Sequence, residues 1–598
     1  MRMHTSAKQQ ERTARHIWRW LGSLLLLVAS PATALEVVVE GLPPALRESV
    51  LAELSIEQQK TDEDLSPTAM RALHARAAQE IRTALEPRGY YRATVQATLE
   101  RREQDWHAHY RVAIGPALRI TSLDLRVTGA GLNDPPFAEF MTKFPLHQGA
   151  VFDHEQYEVA KQRLLTLGAD RGYFDAVLNR HTVEIDLNVY TANVALHYDT
   201  GPRYRFGGVE FAPGSGIELE LLERYVPFFP GQPFDNQEIL ELRRGLVDAD
   251  YFSRIDITPR RDLAVGNEVP ILVTLEPRLP NKYNLGLGYG TDTGVRGKAR
   301  WERRPINEAG HRLLTELNAS QVRSDLTARY RIPVGNPRTD EVSWYAGVIA
   351  EYPETSRSVR NLVGVAYTHA GGQWRLAEGR IAGWNMSYTI DHERENWETG
   401  SESGRSILTM PGVRWLYLNT DSRLVPSHGW RTQLSGRGAS NNFASDVSFT
   451  QARADGKLIY SLGRGGRFIV RAEIGGTWTE DFSVLPSSVR FYAGGDVSVR
   501  GYKYNSLGPT DPTGEVIGGP YLLTGSLEYE QHLYGNWGTA VFVDHGNALN
   551  AFSDPLKRGA GVGVRWFSPV GLIRFDIAWA LSLDDRPWRI HVVIGPDL

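Results

Sequence analysis

The 598-residue chain contains no cysteine. That excludes disulfide staples, thiolate metal sites and a cysteine nucleophile. It has no surplus of positive charge either: 66 Lys and Arg stand against 70 Asp and Glu, a net charge of −4. A nucleic-acid partner, which calls for a basic face, is not expected. Long apolar runs are missing as well, and nothing reaches the roughly 18 to 20 residues that a membrane-spanning helix needs. Local signatures of catalysis are absent: there is no G-x-S-x-G, P-loop, H-E-x-x-H or Rossmann fingerprint. His392 and Glu395 come nearest to a metal pair, but they stand in a polar, acidic stretch read as a solvated loop. Neither an enzyme, a metal nor a cofactor is expected.

What is present is distributed unevenly. Of 58 glycines, 41 lie in 281–598 and 17 in 1–280, and 12 of the 15 tryptophans lie in the later part. Two architectures therefore share one chain, which at roughly 150 residues per domain is long enough for about four.

Residues 1–34 carry Arg2, Lys8, Arg12, Arg15 and Arg19, then an apolar core from Leu21 to Ala29, then Pro31 and Ala32-Thr33-Ala34. A charged start, a short apolar centre and an A-x-A site make a secretory signal peptide. The alternative, a membrane anchor, is disfavoured because the apolar run is well short of the ~20 residues needed. Removal after Ala34 leaves a net charge of −8, 61 basic against 69 acidic residues. An exported chain without membrane helices is either soluble or crosses the bilayer as a closed β-barrel, the remaining way to pair every backbone group in lipid.

Residues 35–280 repeat one unit three times, with bounds 35–118, 119–203 and 204–280. Gly89-Tyr90-Tyr91, Gly172-Tyr173-Phe174 and Asp250-Tyr251-Phe252 recur at spacings of 83 and 78. Each triplet follows a helical pattern: Met70, Leu73 and Ala77 after Ser66-Pro67; Tyr157, Ala160, Leu164 and Leu167; Ile239, Leu242, Leu246 and Ala249. Steps of three and four place these on one helix face. Asp153 with Gln156, and Asp235 with Glu238, resemble capping boxes. Val183, Ile185, Leu187 and Val189, then Ala192, Val194, Leu196 and Tyr198, alternate as half-buried strands do. Each unit reads β-α-α-β-β.

Beyond residue 280 the alternation lengthens. Val322, Ser324, Leu326, Ala328 and Tyr330 oppose Arg323, Asp325, Thr327 and Arg329; Val342, Trp344, Ala346, Val348 and Ala350 make an apolar face; Ile573, Phe575, Ile577 and Trp579 oppose Arg574, Asp576 and Ala578. Strands with an apolar outer face, charges on the wet inner face and aromatic ends signal a transmembrane barrel. A soluble sandwich alternates too, but does not account for the exported, tandem-repeat context. At about 20 residues per strand and turn, residues 281–598 hold sixteen strands, an even number as in bacterial barrels. Residues 332–341 read as a short turn and 480–520 as a large surface or lumen loop. Gly559-Ala560-Gly561-Val562-Gly563 sits in an alternating strand and trims the lumen rather than cradling phosphate.

The long loop contains Ala493-Gly494-Gly495-Asp496, then Val499-Arg500-Gly501-Tyr502 and Lys503-Tyr504. This run resembles the V-R-G-[FY] loop of the BamA-like outer-membrane assembly and two-partner-secretion superfamily, and its TamA branch in particular. The three repeated units resemble polypeptide-transport-associated (POTRA) domains; BamA-type members usually carry five and two-partner transporters two. Asp421…Pro426…Gly429, Ser526-Leu527-Glu528-Tyr529, Phe542-Val543-Asp544-His545-Gly546, Ser568-Pro569-Val570-Gly571 and Ile594-Gly595-Pro596-Asp597-Leu598 extend the likeness. The alternation puts Glu528 and Glu530 opposite Leu527 and Tyr529, and Phe542 and Asp544 opposite Val541 and Val543, hence inside. By resemblance Arg500 pairs with Glu528 and Asp544.

The resemblance implies an outer-membrane protein of a gram-negative bacterium with its POTRA domains in the periplasm. It implies assistance to insertion or secretion of outer-membrane proteins, autotransporters included, with unfolded clients, outer-membrane lipid and an inner-membrane-anchored TamB-like protein as partners, and lipid transport through that partnership. The family's lateral gate falls on the junction of the first and last strands. The first runs Asn284-Leu285-Gly286-Leu287-Gly288-Tyr289-Gly290, and interior glycines weaken a strand. The last runs from Arg589 through Ile590, His591, Val592, Val593 and Ile594 to Gly595, where a proline that cannot donate to a ladder follows. Two rivals remain: a two-partner-type secretion pore, which two POTRA domains and a plug helix would mark, and a passive channel.

Overall fold

The computed structural model describes residues 35–595 apart from 61–64, 103–104, 376–380, 423–424, 464 and 569–570. The signal-peptide expectation for 1–34 and the terminal Pro596-Asp597-Leu598 lie outside the described residues. The described chain divides into two compact units. One runs through Phe206 and takes in Gly231–Asn236 and Val265–Glu268; the other comprises Gly207–Pro230, Gln237–Ala264 and everything from Val269.

Three small α+β modules precede the barrel. Each has a three-stranded sheet in which the module's last strand lies between its first and its second. In the first module Leu35–Glu40 runs parallel to Asp105–Ala113, which pairs antiparallel with Thr94–Arg102. In the second, Arg119–Thr128 runs parallel to Thr191–Asp199, which pairs antiparallel with Val177–Asp186. The helices fold over one face because their apolar positions recur every three or four residues. Met70, Leu73 and Ala77 of Pro67–Leu85 are buried, as are Tyr157, Ala160 and Leu164 of His154–Asp170. Ser66 accepts from the Ala69 N–H at 3.2 Å and Asp153 from the Gln156 N–H at 3.0 Å, capping these helices.

One strand expectation fails. Leu187 and Val189 do not extend the strand, which ends at Asp186, and both are exposed. The Asp186 carboxylate accepts from the Asn188 and Val189 N–H groups at 2.8 and 3.1 Å. A side chain that captures the backbone donors of the next residues closes a turn where the apolar spacing alone promised more ladder.

The tyrosine triplets mark the ends of the long helices. Gly89 and Gly172 adopt left-handed backbone, with φ of 85° and 81°; Asp250, at the same place in the third copy, has φ 55°. The non-glycine residue is held by ion pairs. Its carboxylate lies 2.5 Å from Arg278, 3.4 Å from Lys282 and 2.9 Å from the buried Arg304. Arg304 Nε also donates to the Asp250 carbonyl at 3.0 Å, and the Tyr251 hydroxyl to the Gly310 carbonyl at 2.5 Å. Arg224 donates to the Gly335 carbonyl at 2.8 Å and Arg338 pairs with Glu241 at 2.6 Å. The turns at 304–311 and 334–339 thus sit against the third module.

From Asn281 onward, sixteen strands pair in order into a closed antiparallel barrel. The three alternating runs read in the sequence all fall on strands: Arg323–Pro333, Asp340–Glu351 and Gly571–Ala580. Outward positions such as Trp344, Val348, Leu527, Val541, Val543 and Phe575 are exposed, as lipid-facing side chains must be. Aromatic pairs stack between neighbouring strands, Tyr417 on Trp430 at 4.5 Å and Trp537 on Trp566 at 5.9 Å between centroids, consistent with interfacial girdles.

Candidate functional site: the inner-wall clamp and the seam

The loop 480–520 joins strands Gly466–Thr479 and Tyr521–Tyr534. It folds inward: Phe491, Ala493, Val499, Tyr502 and Leu507 form one buried cluster with Leu522, Ala548 and Ala580 of the wall. This apolar footing carries Arg500 to 3% exposure. All five guanidinium N–H groups find acceptors. Nε and Nη2 grip the two oxygens of Asp544 at 2.8 and 2.9 Å, Nη1 reaches Glu528 at 2.7 Å and Asp576 at 3.0 Å, and Nη2 also reaches Ser526 at 3.3 Å. The Arg500 backbone N–H adds a bond to Asp544 at 2.9 Å, and the Phe542 ring lies 3.3 Å beneath the guanidinium. A planar fork gripping carboxylates away from water is strong and directional.

Both acidic partners expected for Arg500 are thus in contact with it, and the alternation assigned their faces correctly. The third carboxylate, Asp576, and a second cation, Arg565, were not foreseen as members. Arg565 lies 2.5 Å from each of Glu528, Glu530 and Asp576. Arg467 pairs with Glu530 at 2.5 Å, and Arg471 stands 4.0 Å from Asp544. Four arginines therefore face four carboxylates in one network. Period two was the available signal: Arg565 shares the inner face with Gly559, Gly561 and Gly563.

Those glycines make the network possible. A Cβ on Gly559 would meet the Arg500 carbonyl oxygen, and a Cβ on Gly563 would fall 1.9 Å from Asp576 Oδ1. The loop and its acceptors occupy the space that side chains there would need. Tyr502 completes the anchor, its hydroxyl donating to the Arg558 carbonyl at 3.1 Å.

His392 and Glu395 are not on a solvated loop. They lie on strand Ile381–Thr399, three residues apart, so alternation points them to opposite faces. Glu395 is buried and accepts from Ser358 at 2.6 Å and Ser487 at 3.1 Å, while His392 meets Thr409 at 2.9 Å on the exposed face.

The seam joins the first strand, Asn281–Gly290, to the last, Trp588–Gly595; both extend slightly beyond the expected bounds. The first strand pairs with its other neighbour along all ten residues, from Asn281↔Arg303 to Gly290↔Gly294. Across the seam, among the described residues, one register pair is made, Gly290↔Val593. Leu285 and Leu287 are 87% and 92% exposed. Of the residues expected at the gate, Gly290, His591, Val592 and Val593 are brought together, whereas Asn284 to Tyr289 have no seam partner among the described residues. A cavity of about 610 Å³, lined among others by Gly286, Leu287, Gly288, Arg296 and Ile594, opens beside them.

The Omp85 superfamily domain matches residues 287–597, more than half of the chain. The chain belongs to the Omp85 superfamily. A second family match, "POTRA domain TamA domain 1", covers residues 36–114. Among curated relatives, the outer membrane protein assembly factor BamA of Neorickettsia risticii is 21% identical over 470 residues, 74% of this chain and 61% of that protein. BamA of Nitratidesulfovibrio vulgaris is 25% identical over 372 residues, 59% of this chain and 46% of the relative. The chain thus spans less than two thirds of the length of these relatives. The crystal structure of BamA from Haemophilus ducreyi lacking POTRA domains 1–3 superposes with a TM-score of 0.65 at 16% identity, covering 80% of this chain and 99% of that one, a likeness of fold. This Omp85 member is an outer-membrane β-barrel with a POTRA domain at its N-terminus.

Proposed function

We propose that this Omp85 protein assists the insertion or secretion of other outer-membrane proteins, autotransporters among them, by offering the unpaired edge of its first strand as a template. The seam carries this reading: among the described residues one register pair joins the first and last strands, where the adjacent pair is matched along ten. An exposed run of backbone donors and acceptors accepts a further strand without new geometry. Leu285 and Leu287 beside it present apolar surface to lipid. Pairing along that edge requires no nucleotide, because the ladder bonds formed with the client themselves stabilise the product.

All three N-terminal modules are read as POTRA domains extending into the periplasm, where their sheet edges receive unfolded clients. The TamA-type match over 36–114 supports a translocation-and-assembly role with a TamB-like partner, and with it movement of lipid between membranes. A two-partner-type secretion pore and a passive channel are both disfavoured by the three modules that precede the barrel. The test is a photo-crosslinking amino acid at each position from Asn284 to Gly290 in cells making an autotransporter. Adducts to the client's strands and to a TamB-like protein are expected; adducts to neither at any position contradict the reading.

A further inference from the structure

Among the described residues the seam has one register pair, Gly290↔Val593, and a bond from the Thr291 N–H to the Val592 carbonyl at 3.3 Å, and three elements converge on that paired end. The turn after the first strand supplies Thr291 and Asp292, the inner loop supplies Asp496 and Gly501, and the last strand supplies His591 and Val592. Asp496 Oδ1 accepts from His591 Nδ1 at 2.6 Å and from the Thr291 hydroxyl at 3.1 Å. The Asp496 backbone N–H donates to Asp292 Oδ2 at 2.5 Å. The Thr291 hydroxyl oxygen in turn accepts from the Val592 N–H at 2.8 Å, and His591 Nε2 accepts from the Gly501 N–H at 2.9 Å. One loop carboxylate therefore touches both sides of the junction.

Asp292, Asp496 and His591 offer three ligand atoms within 4.8 Å of one another. The histidine's bonding argues against a cation there. Because Nε2 accepts from Gly501, the neutral ring carries its proton on Nδ1 and points that proton at Asp496. A cation at Nδ1 would have to displace the proton and break the Gly501 bond together.

We infer that Asp496 is a staple: it holds the seam closed where strand pairing is sparse, and movement of the 480–520 loop releases it. A staple tied to the loop converts displacement of the Arg500 anchor into opening of the edge. The inference rests on the proposed gate for its consequence, though not for its geometry. The staple is also opposed from within, since Asp292 and Asp496 place two carboxyl groups side by side. Burial, and then the Asp496 charge, push the Asp292 carboxyl up to about 6. Like-charge contact disfavours the closed state, so removing one charge while keeping its acceptor should tighten the seam.

The test uses the full chain in nanodiscs with spin labels on Leu285→Cys and Ile590→Cys, in a protein that has no thiol of its own. Folding is checked by heat-modifiable migration. Asp496→Ala should raise the ratio of long to short interlabel distances roughly tenfold, the scale of one charge-assisted hydrogen bond. Asp496→Asn keeps an acceptor for His591 and Thr291 and should stay closed. Asp292→Asn should shift the distribution toward the short distance. If Asp496→Ala does not fold, Thr291→Val, which removes both hydroxyl bonds, should open the seam in the same sense. Equal opening by Asp496→Ala and Asp496→Asn, or no opening by either Asp496→Ala or Thr291→Val, overturns the staple. Opening in Asp496→Ala with unaltered client assembly leaves the staple standing and contradicts the gate.

Discussion

A Cβ placed on Gly559 would lie 2.0 Å from the main-chain oxygen of Arg500. Backbone sits against backbone there, so neither side can yield by changing a rotamer. Gly559→Ala should therefore displace the inner loop while the strand pairing of Lys557–Ser568 survives. Overpacking of this kind costs about 1–3 kcal/mol. Limited proteolysis within 480–520 is the readout: faster cleavage in the variant is expected, and protection equal to wild type would show that the loop does not need the gap.

Arg500 should tolerate no other cation. Lysine cannot reproduce five donors in a plane, so Arg500→Lys should behave nearly as badly as Arg500→Ala. Either change leaves Asp544 and Glu528 buried with reduced compensation, a loss of about 3–5 kcal/mol for a broken buried pair. Client assembly should fall while the barrel still inserts. Asp576→Asn, which removes one of three carboxylates, should be milder. Comparable assembly by wild type and Arg500→Ala at equal barrel levels contradicts the role given to the clamp.

Asp250 combines strained backbone with three ion-pair partners. Asp250→Gly relieves the left-handed φ but loses the pairs; Asp250→Ala loses the pairs and keeps the strain. Alanine should thus be worse than glycine by about 1–2 kcal/mol, read as the difference in thermal unfolding of the third module by hydrogen exchange. The reverse order would show that the backbone there is not strained.

Asp134 provides a pH test in the second module. Burial pushes its carboxyl up, but the hydrogen bonds and charge of Arg171, aided by Tyr173 and Arg203, outweigh burial and hold it below its ordinary value of 3.8. A depressed carboxyl stabilises the fold above that ordinary value, and the contribution fades as pH falls through the folded value. Exchange protection of helix His154–Asp170, corrected for intrinsic rates, should be flat from pH 7 to about 5 and drop below about 4. Asp134→Asn should be less protected at neutral pH and lose less on acidification. A variant with the wild-type profile excludes Asp134 as the cause.

What could be read from the chain was whatever repeats locally. Period-two alternation put Glu528, Glu530 and Asp544 inside because each strand is lipid on one side and water on the other. The helix faces of the first two modules, the Ser66 and Asp153 caps and the extent of the 480–520 loop were legible for the same reason. Residues 187–189 misled because an apolar spacing crossed an Asx turn that the spacing does not register. His392 and Glu395 misled because a polar run looks like a loop when a strand carries polar residues on both faces. The link from Asp496 to His591 had no local trace: it joins residues 95 apart through closure of the barrel.

A seam that must open to admit client strands cannot work when it is locked shut. Gly290 and Val593 are register partners across it, and directly opposed antiparallel residues come close enough for a disulfide. With no native cysteine in the chain, Gly290→Cys with Val593→Cys gives one defined crosslink. The oxidised protein should fail to assemble an autotransporter client and should recover on reduction; undiminished assembly by protein verified as crosslinked would contradict the gate.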